Sequence, residues 1–267
     1  MSFRHFRILL LLTLLGLAGG VTAWDRYTVR GWREPLRVEI RPIVGDARAE
    51  TAAYVKRLVL SDFLEIEQFL NREAGRHGVP LARAVRLSLL PASRALPPAQ
   101  PAVPGVLSNI AWSLKMRWWS YRDSGRLLPG IGVVKLYVIH RAPADGTVLP
   151  HSLGLEKGLI GVVHAWAEPR AGARNRLVLA HELLHTLGAT DKYDPASQRP
   201  RYPDGYAEPA RLPLYPQVEA EIMAGRVPRS EARAVAATGL GQTRIGVATA
   251  REIGLDEAFG RYWGRRG

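Results

Sequence analysis

No cysteine occurs among the 267 residues. Thiolate metal ligands, cysteine nucleophiles and disulfides are thereby excluded, and a zinc site must be assembled from His, Asp or Glu. Acidic residues are also short. The 24 Asp and Glu stand against 37 Lys and Arg, a formal charge of +13. Such an excess favours acidic partners such as anionic membrane surfaces or nucleic acid. However, the basic residues are spread along the whole chain, with no basic run interleaved with aromatics and no recognised nucleic-acid motif, so no nucleic-acid partner is expected. No internal repeat is present. The hydrophobic fraction of 47% and charged fraction of 23% are ordinary for a folded chain, and the length suffices for one large domain or two small ones.

The chemistry is concentrated in residues 177–194, LVLAHELLHTLGATDKYD. His181 and His185 are four apart and share one face of a helix, one turn above the other. They can offer two imidazole nitrogens to one metal ion, with Glu182 flanking that face. Zinc takes such ligands tetrahedrally and, in catalytic sites, keeps a position open for water. Glu182 is then the candidate general base. Chance produces H-E-x-x-H in about one such chain per hundred, so a polar helix face with two incidental histidines is the weaker reading. Asn175 is a candidate N-cap, Leu179, Ala180, Leu183, Leu184 and Leu187 would bury the helix against a sheet, and Gly188 supplies the left-handed residue that ends it. Asp191, three residues on, can then return to the metal as third ligand, although Asp also favours plain surface turns. A competing scheme takes the third ligand from Glu208, Glu219 or Glu221 downstream.

Along the rest of the chain, Arg4 and Arg7 precede an uncharged apolar stretch, Ile8–Trp24. That order is expected of a signal peptide or a single membrane anchor over residues 1–24, with Trp24 and Tyr27 as interfacial aromatics. The remaining chain, 34–267, would then face the exported side. Pro35–Val44 alternates like a half-buried strand, 46–75 is periodic like a helix, and Ala84–Leu90 reads as a second strand. Five prolines between 91 and 105 mark an irregular loop. Ser108–Tyr121 is an expected helix whose Trp112, Trp118 and Trp119 read as core packing. Gly132–His140 and Gly158–Trp166 are further strands, the latter placing His164 beside the site. His140 and His151 read as packed or exposed. These elements predict an α+β fold, a mixed sheet with the His-bearing helix packed on it. The proline-rich segment 195–216 is expected to wall the substrate pocket.

The stretch His181–Asp191, H-E-L-L-H-T-L-G-A-T-D, resembles the extended zinc motif of the metzincin metalloproteases, which ends in His where this chain has Asp191. Snapalysin-type members are similar in carrying Asp there. The resemblance implies a methionine turn beneath the metal, matched by Met223, the sole methionine after the motif, and a final helix at Ile245–Leu255. It covers about residues 135–255. It implies a zinc metalloendopeptidase in which His181, His185 and Asp191 hold Zn²⁺, Glu182 activates water, and a polypeptide is the substrate. Tyr193 is a candidate donor to the tetrahedral intermediate. The expected protein is a monomer, membrane-anchored with an exported catalytic domain, or secreted or periplasmic if the signal is cleaved. Two other readings remain: a catalytically silent zinc-binding or membrane-associated interaction module of the same fold, and a basic surface-binding protein with an accidental motif.

Overall fold

A computed structural model describes residues 3–256 apart from 102, 104, 125–131, 145, 147 and 157; the expected domain's last residues, 257–267, lie outside them. A long helix, α1 (Phe3–Arg30), leads into strand β1 (Leu36–Val44). Two helices follow, α2 (Ala49–Arg57) and α3 (Leu64–Arg76), then β2 (Val85–Leu89), α4 (Val106–Ser124), β3 (Val133–Arg141), β4 (Leu153–Leu155), β5 (Ile160–Trp166) and α5 (Gly172–Thr186). Beyond α5 the described residues form only short pieces: β6 (Ala220–Glu221), β7 (Arg226–Pro228), β8 (Ala234–Ala236), β9 (Thr243–Arg244) and α6 (Val247–Glu252).

The main sheet has five strands in the order β2-β1-β3-β5-β4, parallel except for β4, which runs antiparallel along β5 at the edge. The fold is thus mixed α+β, as the pattern predicts. On one face α3 and α5 share a core with the sheet: Ile66 and Phe69 from α3, Leu179, Leu183 and Leu184 from α5, Val38, Ile40, Leu136 and Val163 from the strands. Each of these leucines is almost wholly buried, stabilising the packed helix by about 2 kcal/mol per side chain. On the other face α4 brings Met116 and Trp119 against Tyr137, Ile139 and Val162, and the Trp119 ring meets Tyr137 edge-on at 4.6 Å.

Four expectations change. β1 is not half-buried but central, because its polar face lies under α4, where Arg41 Nε pairs with Asp123 Oδ2 at 2.7 Å. The periodic stretch 46–75 is two helices, broken where Leu58 turns extended at φ −61°, ψ 133°. Of the three tryptophans expected in the core, Trp119 packs and Trp112 bonds the Pro98 carbonyl through its indole nitrogen at 3.0 Å, but Trp118 is exposed. The final helix is shorter than expected, at Val247–Glu252.

At the other end, Val29 and Trp32 belong to the main core, and the Trp32 indole donates to the Ile253 carbonyl at 2.9 Å. The folded unit therefore begins a few residues before position 34. Several α1 side chains lie outside the described set. Among the described residues no helix is long and apolar enough to cross a membrane, so the expected N-terminal anchor is not shown.

Candidate metal centre

α5 is entered through a short 3₁₀ turn, Pro169–Ala171, and has no side-chain N-cap. Asn175, expected to cap it, lies inside the helix. Its amide instead bonds both backbone groups of Trp166, accepting from the nitrogen at 3.2 Å and donating to the oxygen at 2.9 Å. The end of β5 has no further strand residue to satisfy those groups, and the amide does so. α5 thereby keeps a fixed register on β5. At its far end Gly188 takes φ 99°, and the Ala189 nitrogen reaches back to the Leu184 carbonyl at 3.0 Å, the closure that a left-handed residue permits.

This turn also prepares the first ligand. The Ala189 carbonyl accepts from His185 Nδ1 at 2.8 Å. His181 Nδ1 makes the equivalent bond to the Ile222 carbonyl at 3.1 Å. A carbonyl can only accept, so both Nδ1 atoms carry the proton and both Nε2 atoms present lone pairs. Those two Nε2 atoms lie 3.0 Å apart. Asp191 Oδ1 closes the triangle, 3.2 Å from His181 Nε2 and 3.3 Å from His185 Nε2. Three electron-pair donors so close repel one another unless a positive charge sits among them. The spacing also matches the ~3.3 Å edge of a tetrahedron whose corners lie about 2.0–2.1 Å from a metal. The group His181, His185 and Asp191 can therefore hold a metal ion.

Electrostatics point the same way. Burial pushes the Asp191 carboxyl up, but the two imidazoles, wherever a proton rather than a metal lies between them and the carboxylate, outweigh burial and hold the group far below the usual carboxylate range. Burial opposes charge on His185, yet the Asp191 carboxylate and the Ala189 carbonyl raise its pKa. Glu182 sits beside the triangle, buried, with its pKa raised by desolvation. Its Oε2 is buried without a hydrogen-bond partner. An orphaned carboxylate oxygen at that depth is costly unless a proton donor belongs there, which is the position a general base requires.

The downstream glutamates are occupied elsewhere. Glu208 and Glu219 both pair with Arg244, at 3.2 and 2.5 Å. Glu221 is fully buried, accepting from the Met223 and Ala224 nitrogens at 2.6 and 3.1 Å on one oxygen, and from the Gly246 nitrogen and Thr249 hydroxyl at 3.2 and 2.7 Å on the other. The competing ligand scheme thus finds no support. Glu221 instead shapes the turn holding Met223, which is fully buried in the same core as the α5 leucines. That turn meets the site twice. Ile222 bonds His181, and the Met223 carbonyl accepts from the Lys192 nitrogen at 3.0 Å, next to Asp191.

The triangle opens into a cleft of about 750 Å³. Its walls are not the proline-rich 195–216 segment, none of whose residues lines it; they are Val148–Gly154 on one side and Trp166, Arg174 and Val178 on the other. Tyr193 lines the cleft, and its pKa is raised by burial and by the Asp191 carboxylate. His164 and His151 also line it but lie outside the donor triangle. His164 Nδ1 accepts from Arg141 Nη1 at 2.7 Å, and burial together with that guanidinium lowers its pKa to about 4, leaving it neutral. His140 is buried away from the cleft, its ring 5.5 Å from Tyr54.

Three positioning features escaped the sequence reading. Strand β4 spans three residues, too short for any periodic signal. Within it, a Cβ on Gly154 would lie 2.5 Å from the Glu182 carbonyl and 2.5 Å from His185 Cβ, so only glycine lets the edge strand touch the ligand-bearing helix. Lys192, almost fully buried, donates through Nζ to both carboxylate oxygens of Glu252 at 2.7 Å and to the Thr190 carbonyl at 3.0 Å, clamping the loop that carries Asp191.

No known family description and no curated protein matches this sequence. Two solved structures are distantly similar. One, described as a chaperone–substrate complex, aligns with 84% of this chain and 35% of its own at 13% identity, with a TM-score of 0.40. The other is catalytically inactive OgpA from Akkermansia muciniphila with an O-glycopeptide (glycodrosocin) substrate, aligning with 83% of this chain and 60% of its own at 12% identity, also at a TM-score of 0.40. The chain thus spans about a third and three fifths of these two proteins. Likeness at that distance assigns no activity, and the site is read from its own residues.

Proposed function

We propose that the protein is a zinc-dependent endopeptidase of metzincin type. The observation that carries this reading is the donor triangle His181 Nε2, His185 Nε2 and Asp191 Oδ1, with the unpartnered buried oxygen of Glu182 beside it. Two nitrogens and one oxygen, in a chain with no thiol to offer, suit zinc. Zinc held there would supply Lewis acidity to a water and to a substrate carbonyl. Glu182 takes the proton of the attacking water at Oε2 and passes it to the leaving amine, a role its raised pKa suits. Tyr193, on the cleft wall, donates its phenolic hydrogen to the developing oxyanion. The substrate lies extended along β4, whose outer edge pairs with no other strand among the described residues and can add one. Met223, packed under the ligand helix, corresponds to the family's methionine turn. The uncharged stretch 8–24 serves as signal or tether and places the site on the exported side.

The test is metal analysis of the purified protein combined with peptide cleavage. Stoichiometric zinc, and a Glu182→Gln variant that keeps the metal but loses cleavage on the order of a thousandfold or more, are the expected results. Absence of zinc overturns the reading. A Glu182→Gln variant that cleaves normally overturns the base assignment, and a wild-type protein that binds zinc yet cleaves nothing returns the silent interaction module.

A further inference from the structure

Among the described residues, an apolar face away from the candidate metal centre has no partner. On α4, Leu107, Ile110, Leu114 and Trp118 recur at intervals of three and four and fall on one side of the helix. All four are exposed, Leu107 to 82% and Trp118 to 61%. Tyr121 continues the row, its ring 5.5 Å from that of Trp118. Soluble surfaces rarely leave so many large apolar side chains contiguous. The opposite side of the same helix is the one that holds the domain, through Met116 and Ser120, the latter hydrogen-bonded to the Tyr137 hydroxyl at 2.8 Å.

Charge decides what the face suits. Lys115 and Arg122 border the row, and α4 has no acidic residue before Asp123, which is already paired with Arg41. An apolar stripe with Trp and Tyr in it and Lys and Arg at its border is the pattern of a helix lying in the headgroup region of an anionic bilayer. The position agrees. Glu156 and Gly158 lie between the end of α1 and α4. Arg30 Nη2 pairs with Glu156 Oε1 at 2.7 Å, and a Cβ on Gly158 would lie 3.3 Å from Arg117 Nε. α4 therefore flanks the point where the N-terminal helix leaves the domain. That helix itself presents Ile8, Leu9 and Leu12 outward.

We propose that the α4 face Leu107–Ile110–Leu114–Trp118 docks on an anionic lipid surface and sets the orientation of the cleft above it. The orientation draws on the proposed tether; the docking itself needs neither the tether nor the peptidase chemistry.

Because the chain has no cysteine, single labels can be placed at will. The full chain, reconstituted in discs of phosphatidylcholine and phosphatidylglycerol in equal parts, would carry a fluorophore on Leu114→Cys, on Asn109→Cys across the helix, or on Leu12→Cys in α1. Lipids spin-labelled high on the acyl chain should quench position 114 several-fold more than position 109, and the difference should shrink when phosphatidylglycerol is omitted. Equal access of aqueous iodide to 114 and 109 overturns the proposal, whatever position 12 reports. Shielding of 114 with no lipid quenching, and with two labels close together, overturns it in favour of a second copy of the chain. Lipid quenching at 114 with position 12 open to iodide upholds the docking while removing the tether. None of these readouts depends on peptide cleavage, so they stand apart from the test of the peptidase reading.

Discussion

The two sides of the candidate metal centre are built by different means. On one side, α5 sets both histidines through regular helix geometry, apolar burial against a five-stranded sheet and the Asn175 amide on β5. On the other, Asp191 and the Met223 turn belong to a segment almost without regular structure, positioned by buried charges: Glu221 with four donors, Lys192 with Glu252. The helical side presents its ligands on a rigid frame. The loop side completes the triangle with a carboxylate whose side chain is 41% exposed. A rigid half plus a clamped half leaves room for substrate on the open side while fixing the donors, and each half fails in its own way when cut.

The largest difference should appear in metal affinity. His185→Ala removes a donor from the frame and Asp191→Ala removes the one from the loop. Both should weaken zinc beyond the 10- to 100-fold that supporting residues usually account for, and Asp191→Ala should also lower the thermal stability of the metal-free protein above the ordinary carboxyl pKa, since the depressed pKa marks a net favourable interaction with the two imidazoles that the substitution removes. Competition with a chelating dye and melting of the apo proteins measure both. Equal affinity of Asp191→Ala and wild type would falsify the ligand assignment.

Next in size is the frame itself. Gly154→Ala forces a methyl group into the backbone of α5, and overpacking of this kind costs about 1–3 kcal/mol. Zinc affinity should fall with stability, because the helix must back away from the edge strand. Gly161→Ala is the companion, since its Cβ meets the terminal Cδ2 of Leu136 rather than backbone, and it should leave zinc binding intact. Matching metal losses in the two variants would show that β4 does not position the ligands.

The clamp comes third. Glu252→Ala strands the buried Lys192 ammonium, and with Glu252 itself partly exposed a loss of about 1–2 kcal/mol is expected. Its signature is unequal: the 189–194 amides should exchange faster while α5 stays protected. Uniform loss of protection would mean that the two sides are not separable.

The smallest effect is on pH. Burial raises Glu221 from 4.5 to about 7, against the hydrogen bonds from Thr249, Gly246 and Met223 and the nearby Lys192 charge that pull it down. A carboxyl raised in the folded state contributes stability that is full below its unfolded pKa and is lost as pH rises through its folded one. Unfolding free energy should therefore decline between about pH 4.5 and 7, and Glu221→Gln should flatten that slope even as it weakens the turn. A slope unchanged in the variant assigns the titration to another group.

The frame was far more legible in the sequence than the clamp. β3, β5 and the ligand helix follow from runs of apolar residues, and Gly188 announced its turn because only a left-handed residue ends a helix so sharply. What periodicity cannot carry is pairing between distant polar residues. Nothing local connects Lys192 with Glu252 or Glu221 with Gly246, so the clamp became visible only in three dimensions. The same holds for burial on both faces of β1, whose alternation marks one apolar side and says nothing of the α4 layer over the other. Asn175 failed as a cap because its amide found better-matched partners at Trp166. Trp118 was misplaced because an aromatic cluster on a helix does not reveal which of its members face outward. The cleft wall at 148–154 has no pattern of its own and is defined by where Gly154 lets the chain pass.

Arg30, the last residue of α1, has one further consequence. Its Nε donates to the Leu187 carbonyl at 2.6 Å, at the end of the helix that carries both histidines, and its guanidinium also holds Glu156. The segment joining the domain to whatever lies N-terminal is thus bolted to the same rod that presents the ligands. A pull along α1 is delivered to that rod two residues beyond His185 rather than dissipated in a slack linker. The placement of α1 and that of the His-bearing helix are thus coupled through one side chain.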